Sequence, residues 1–284
     1  MKLLQHLALP IGLLLASTAL AAAPLREPLK VVATIPDLAD ITRVIGGDRV
    51  EVTTICKGRE NAHFVTAKPS HLVALSRADV FVQVGLSLET AFVPGLLENA
   101  RNPKIAPGQP GFVNTSEGWT ALDVPKVLDR RNGDVHPQGN PHLNLDPRGG
   151  RQMAEHICAG LSAVEPSSKA AFEQRLKAYV EQLDAAQKRW AEMGAAWKGR
   201  KIVVYHKEFD YLAAAYGLTV VGAVEPQPGI PPTPGHIAEL VETLRGVKDA
   251  LILTAAPSHA ESADTAADGG GEAAGSTSEI KALR

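Results

Sequence analysis

The stretch FEQRLKAYVEQLDAAQKRWAEMGAAW, residues 172–197, decides the fold. Phe172, Leu176, Tyr179, Leu183, Ala186, Trp190, Met193 and Trp197 recur at spacings of three and four. That period predicts an amphipathic helix. Pro166 and Gly199 bound it, giving about thirty residues and a length of ~45 Å at 1.5 Å per residue. Few helices in a compact domain are so long. A helix of that reach can run along two lobes and serve as a spine between them.

On both sides of the spine, short apolar runs alternate with helical segments. Before it, strands are expected at Leu29–Thr34, Val50–Ile55 and Val80–Val84, with a weak one within Lys104–Val113. Helical segments are expected at Asp37–Gly46, Pro69–Arg77, Leu86–Leu97 and Arg148–Ala163. After it come strands Lys201–Tyr205, Leu218–Val224 and Ala250–Thr254, with helices Glu208–Tyr216 and Gly235–Leu244 between them. This alternation predicts parallel sheets flanked by helices. From Ala255 the composition turns to Ala, Gly, Ser, Asp, Glu and Thr, which predicts a disordered tail and an incomplete second lobe. The expected organisation is residues 24–165 as a first α/β lobe, 166–198 as the spine, 199–254 as a partial second lobe, and 255–284 as tail.

Residues 1–23 hold Lys2, an apolar run from Leu7 to Leu20 and the small-residue pattern Ala19-Leu20-Ala21. They read as a secretory signal peptide. The run is too short to span a membrane with confidence, and no cysteine follows it to carry a lipid. An exported, periplasmic mature chain is expected. Without Lys2, 28 basic residues face 31 acidic ones. That balance points away from nucleic acid and anionic membranes. Cys56 and Cys158 can pair in an oxidising compartment, stay as buried thiols or, for Cys56, offer a thiolate; two cysteines make no disulfide framework.

The chain has nine histidines. His6 belongs to the leader and His259 to the tail. His71 and His156 read as partly exposed helix residues, and His236 as a helix-start residue. His136 lies in a polar loop, 129–141, that can visit a metal but promises no fixed ligand. Three others sit just beyond strands or on a stiff loop: His63, His142 and His206. His142 lies in Asn140-Pro141-His142-Leu143-Asn144-Leu145-Asp146-Pro147, whose prolines restrict the backbone. In parallel sheets such loops gather at the strands' carboxyl ends, where open α/β folds place ligands. The spacings of 79 and 64 residues match no local zinc motif.

The ordered combination of short motifs resembles the zinc/manganese substrate-binding proteins of bacterial ABC transporters. The matching stretches are Glu60-Asn61-Ala62-His63-Phe64 with Lys68-Pro69-Ser70, then Gly85-Leu86-Ser87-Leu88-Glu89. Asn140-Pro141-His142 and Leu145-Asp146-Pro147 follow, then the run from Val203 to Tyr211, then Glu225-Pro226 and Pro228-Gly229-Ile230-Pro231. The resemblance implies two lobes on one spine helix and a metal in the cleft, held by His63 and His142 of the first lobe and His206 of the second. It also implies an ABC permease as partner, a monomeric carrier and no enzymatic activity. Three imidazoles suit Zn²⁺ better than Mn²⁺ or Fe²⁺, which favour oxygen. The family's usual fourth ligand, a late carboxylate, has no counterpart past Thr254; Glu60 or water can take its place. Glu89 and Asp146 read as loop and capping residues. A secreted zinc hydrolase is the rival of another class; it needs a general base, for which Glu60 and Glu208 are candidates.

Overall fold

The structure, a computed structural model, describes residues 27–58, 60–126, 136–226, 230–247 and 250–254. The leader and tail, with His6 and His259, lie outside the described residues. The first lobe is built from β1 (Leu29–Ala33), α1 (Pro36–Gly46), β2 (Val50–Thr54), α2 (Pro69–Ser76), β3 (Val80–Gln83), α3 (Val93–Ala100) and β4 (Phe112–Asn114). Its four strands lie in the order β2-β1-β3-β4 and pair in parallel. Val31, Val32, Ala33, Val80, Phe81 and Val82 are buried, as continuous apolar strands covered on both faces must be.

α4 (Pro147–Val164) and α5 (Lys169–Gly194) follow, then the second lobe: β5 (Lys201–Val204), α6 (Asp210–Tyr216), β6 (Thr219–Ala223), α7 (Pro234–Arg245) and β7 (Leu251–Leu253). Among the described residues its three strands are parallel and lie in the order β6-β5-β7. In each sheet the chain moves from a central strand to both sides: β1 lies between β2 and β3, and β5 between β6 and β7. The carboxyl ends of β1 and β5 are therefore switch points, where loops diverge and leave a crevice.

The spine is shorter than its apolar period. α5 has 26 residues, with 3-10 turns at Pro166–Ser168 and Ala195–Trp197 carrying the ends of the expected segment. Phe172 and Ala186 are buried, whereas Trp190 and Met193 are exposed. The stripe thus finds a core where it crosses the first lobe and loses it further on. There a cavity of about 650 Å³ opens, lined by Trp190, Met193, Trp197, Tyr179, Tyr216 and Pro36 among others.

Two local expectations change. The helix expected from Leu86 starts only at Val93. Leu86 and Ser87 adopt positive φ, and the buried Glu89 carboxylate accepts the Val84 and Gly85 N–H groups, so backbone donors are spent on a tight loop. Gly85 is required there, since its φ is +91° and a Cβ would stand 2.0 Å from Asn114 Oδ1. The weak strand within Lys104–Val113 shrinks to Phe112–Asn114, because Asn102 caps a 3-10 turn begun by Pro103.

Candidate metal site

His63 and His142 are set by the same two-residue device. The His63 N–H donates to Asn61 Oδ1 at 2.9 Å, and the His142 N–H donates to Asn140 Oδ1 at 3.0 Å. An asparagine side chain that bonds the backbone two residues on forms an Asx turn, which fixes the following residue without secondary structure. Asp146 then accepts the Arg148 N–H at 2.8 Å and caps α4 just beyond the His142 loop. His206 comes one residue after Tyr205, whose N–H extends the sheet by bonding Leu253 O at 2.9 Å. It stands at the second lobe's switch point.

These three loops converge. His63 Nε2 and His142 Nε2 are 3.3 Å apart, and both rings lie with centroids 5.5 Å from that of His206. One ligand nitrogen from each residue falls within 4.8 Å of the others. A tetrahedral ion with metal–nitrogen bonds of about 2.0–2.1 Å has ligand–ligand edges of about 3.3–3.4 Å. The His63–His142 pair already has that spacing, and a small movement of His206 completes a three-nitrogen face.

The electrostatics agree with neutral rings. Burial, then the neighbouring His136 and His206, pushes the His63 pKa down to about 3. Burial and the other imidazoles hold His142 well below the usual histidine range. Burial, then His136 and Lys207, lowers His206 to about 4. All three rings therefore offer lone pairs rather than protons at neutral pH.

One side chain ties the two lobes together at this point. While Asn140 Oδ1 orders His142, its Nδ2 donates to Lys207 O at 2.7 Å, next to His206. Tyr211 of α6 is buried in the first lobe's core, where its hydroxyl donates to Asn140 O at 2.8 Å and accepts from Leu122 N at 3.1 Å. His206 Nδ1 lies 3.8 Å from Glu225 Oε1, the carboxylate nearest that ring among the described ion pairs. At that distance the carboxylate is an electrostatic neighbour of the ring rather than a hydrogen-bond partner.

Other expectations sort as follows. Glu60, a candidate fourth ligand or general base, is turned into its own loop: Oε2 accepts the Lys57 N–H at 2.8 Å and Oε1 lies 3.2 Å from Lys68 Nζ. It is absent from the cluster of metal-competent donors among the described residues. Cys56 and Cys158 are free and buried, and burial raises the Cys56 thiol to about 11, so it carries no thiolate. Glu89 and Asp146 hold structural loops, as expected. His71 departs from its reading as a partly exposed residue: it is buried, and its Nδ1 accepts the Lys68 N–H at 3.3 Å. His156 is part-exposed and bonds Gln152 O. His236 lies in the first turn of α7, as expected of a helix-start residue: Thr233 Oγ1 caps the helix by accepting its N–H, and its Nε2 donates to Ala223 O at 2.8 Å. His136 is the residue that sequence reasoning undervalued, for its ring centroid lies 5.0 Å from that of His63.

Parallel α/β lobes on a long helix, with a cleft at the carboxyl ends of both sheets, define the class of two-lobed binding proteins. Within that class, the chain belongs to the family described as zinc-uptake complex component A, periplasmic (ZnuA), which matches residues 31–283. The match reaches beyond residues 60–231, over which the quoted motifs run. Among curated relatives, the zinc-binding lipoprotein AdcA of Streptococcus pneumoniae is 29% identical over 231 residues, 79% of this chain and 44% of AdcA. The chain thus spans under half the length of AdcA. The manganese ABC transporter substrate-binding lipoprotein PsaA of Streptococcus anginosus is 30% identical, covering 78% of this chain and 70% of PsaA. The iron ABC transporter substrate-binding lipoprotein MtsA of Streptococcus pyogenes is 27% identical, covering 80% of this chain and 72% of MtsA. In fold, the chain is similar to a crystal structure of ZnuA, with a TM-score of 0.68 at 23% identity, covering 85% of this chain and 88% of that one.

Proposed function

We propose that this protein captures a divalent metal ion, with Zn²⁺ as its preferred cargo, between two lobes and hands it to an ABC permease outside the cytoplasmic membrane. His63 and His142 of the first lobe (residues 24–165) and His206 of the second (199–254) are the ligands, with the spine of residues 166–198 between. The observation that carries this reading is the 3.3 Å separation of two Nε2 atoms from loops 79 residues apart, with a third imidazole from the other lobe facing them. The names of the relatives support a metal-binding substrate-binding protein but divide among zinc, manganese and iron. Donor chemistry favours zinc: nitrogen ligands suit a borderline ion, whereas Mn²⁺ prefers carboxylate and carbonyl oxygen.

Ligands drawn from both lobes make capture sensitive to lobe separation. A displacement of the second lobe carries His206 from the other two rings and weakens the site. Asn140 and Tyr211, which join the lobes beside the site, limit that displacement. The protein acts as a monomeric carrier rather than a catalyst, and no helix among the described residues is long and apolar enough to cross a membrane.

Titration of metal-free protein with Zn²⁺ against a chelator of known affinity tests the reading. His142→Ala is expected to weaken binding at least about tenfold, because one fixed ligand is lost. Mn²⁺ is expected to bind more weakly than Zn²⁺ in the same assay. An unchanged affinity in the variant removes His142 from the site, and a wild-type chain that ignores Zn²⁺ overturns the proposal.

A further inference from the structure

His136 stands beside the three-histidine cluster, outside the set whose donors all lie within 4.8 Å of one another. Its ring centroid is 5.0 Å from that of His63, the shortest ring separation His63 makes. Its Nε2 is buried rather than turned to solvent.

The backbone that carries it is well fixed. Pro137 follows and biases His136 toward an extended conformation. The Gly139 N–H closes a turn onto His136 O at 3.0 Å. Gly139 has φ +101°, and a Cβ there would lie 2.6 Å from Leu122 O, so the turn is seated tightly against residues 121–122. The next N–H, of Asn140, donates to Leu122 O at 2.8 Å, and the Ser87 hydroxyl reaches Gln138 Oε1 at 3.4 Å. The ring is thus aimed at the cluster from an anchored turn and needs only a side-chain rotation to reach it.

We infer that His136 is the fourth protein ligand, which swings onto the ion once the other three imidazoles have engaged it. This rests on the metal-capture reading above and gives it a selectivity. Four neutral imidazoles leave the dipositive charge of the ion uncompensated, and they supply no oxygen donor. Such a site favours Zn²⁺ over the hard ions Mn²⁺ and Ca²⁺. It also frees Glu225 to act from behind His206 instead of on the ion.

The test is NMR of full-length protein labelled with ¹⁵N-histidine, in which metal-bound ring nitrogens are counted as Zn²⁺ is added. Wild type is expected to give four zinc-bound histidines and His136→Ala three, with Zn²⁺ affinity falling roughly tenfold. In His136→Gly, free imidazole is expected to restore the affinity, which loop damage would not allow. Three bound histidines in wild type, with affinity unchanged by His136→Ala, overturn the inference and leave the capture reading intact. Wild type that binds no Zn²⁺ overturns both.

Discussion

The two lobes share a plan and differ in substance. In the first, four strands and the helices α1 to α4 bury one continuous core, from Val31 through Phe81 to Leu161. In the second, the buried apolar residues among those described divide into two small groups: Ile202, Val204 and Ala213, and Val203, Val224 and Leu240. Val220 and Leu251, on the outer strands, are exposed. Cooperative stability scales with such burial, so by the described residues the first lobe is expected to be the rigid partner and the second to open at lower cost. The proposed ligands follow the same division. Two of the three clustered histidines, and His136, come from the lobe that can hold them still. His206 comes from the lobe that can move.

The largest break of this contrast is expected from Phe81→Ala. Phe81 is wholly buried and packs on Phe112, so its removal costs about 3–5 kcal/mol of first-lobe stability in urea denaturation. A loss below 1 kcal/mol would mean that the two lobes do not differ as described.

Acid sharpens the contrast next. In the unfolded chain a histidine takes its proton near pH 6.5, whereas folded His206 resists until about 4 and His63 until about 3. The unfolded state therefore binds more protons across that window. Metal-free protein should be fully stable above pH 6.5 and lose stability as the pH falls toward 4. The expected loss is on the order of 3 kcal/mol for His206 alone, at about 1.4 kcal/mol per pH unit. Amide exchange should rise first in the second lobe. A melting temperature that stays flat from pH 7 to 4 would show that these rings are not buried as neutral groups.

The smallest effect concerns the junction. Tyr211→Phe removes a hydroxyl that serves Asn140 O and Leu122 N, at a cost of about 1–3 kcal/mol. Because the second lobe is docked through that residue, the rate of Zn²⁺ release from the variant should rise. Release at the wild-type rate would show that the junction does not restrain the lobes.

Much of the frame was legible in the sequence because period and punctuation are local signals. Val31-Val32-Ala33, Val80-Phe81-Val82 and Ile202-Val203-Val204 are unbroken apolar runs, and Pro147, Pro69 and Pro234 open helices where proline is favoured. The convergence of His63, His142 and His206 was legible only through motif resemblance, since residues so far apart carry no spacing signal. What escaped notice depended on tertiary context. Trp190 and Met193 keep the helical period yet are exposed and line a cavity among the described residues. His71 looked exposed by its place on a helix, but the Lys68 turn folds its ring inward. His136 looked loose because its loop is polar. The available signal was the pattern His136-Pro137-Gln138-Gly139, a turn that fixes the residue before it.

The pairing of Asn140 with Pro141 has a chemical consequence. Asparagine ages when the next residue's amide nitrogen attacks its carboxamide and converts it, through a cyclic imide, to aspartate. Pro141 has no N–H to begin that attack. The carboxamide that holds Lys207 O and the His142 N–H is thereby protected from slow chemical decay. Asn61, followed by Ala62, lacks that protection, and there time would erode the first of the twin turns before the second.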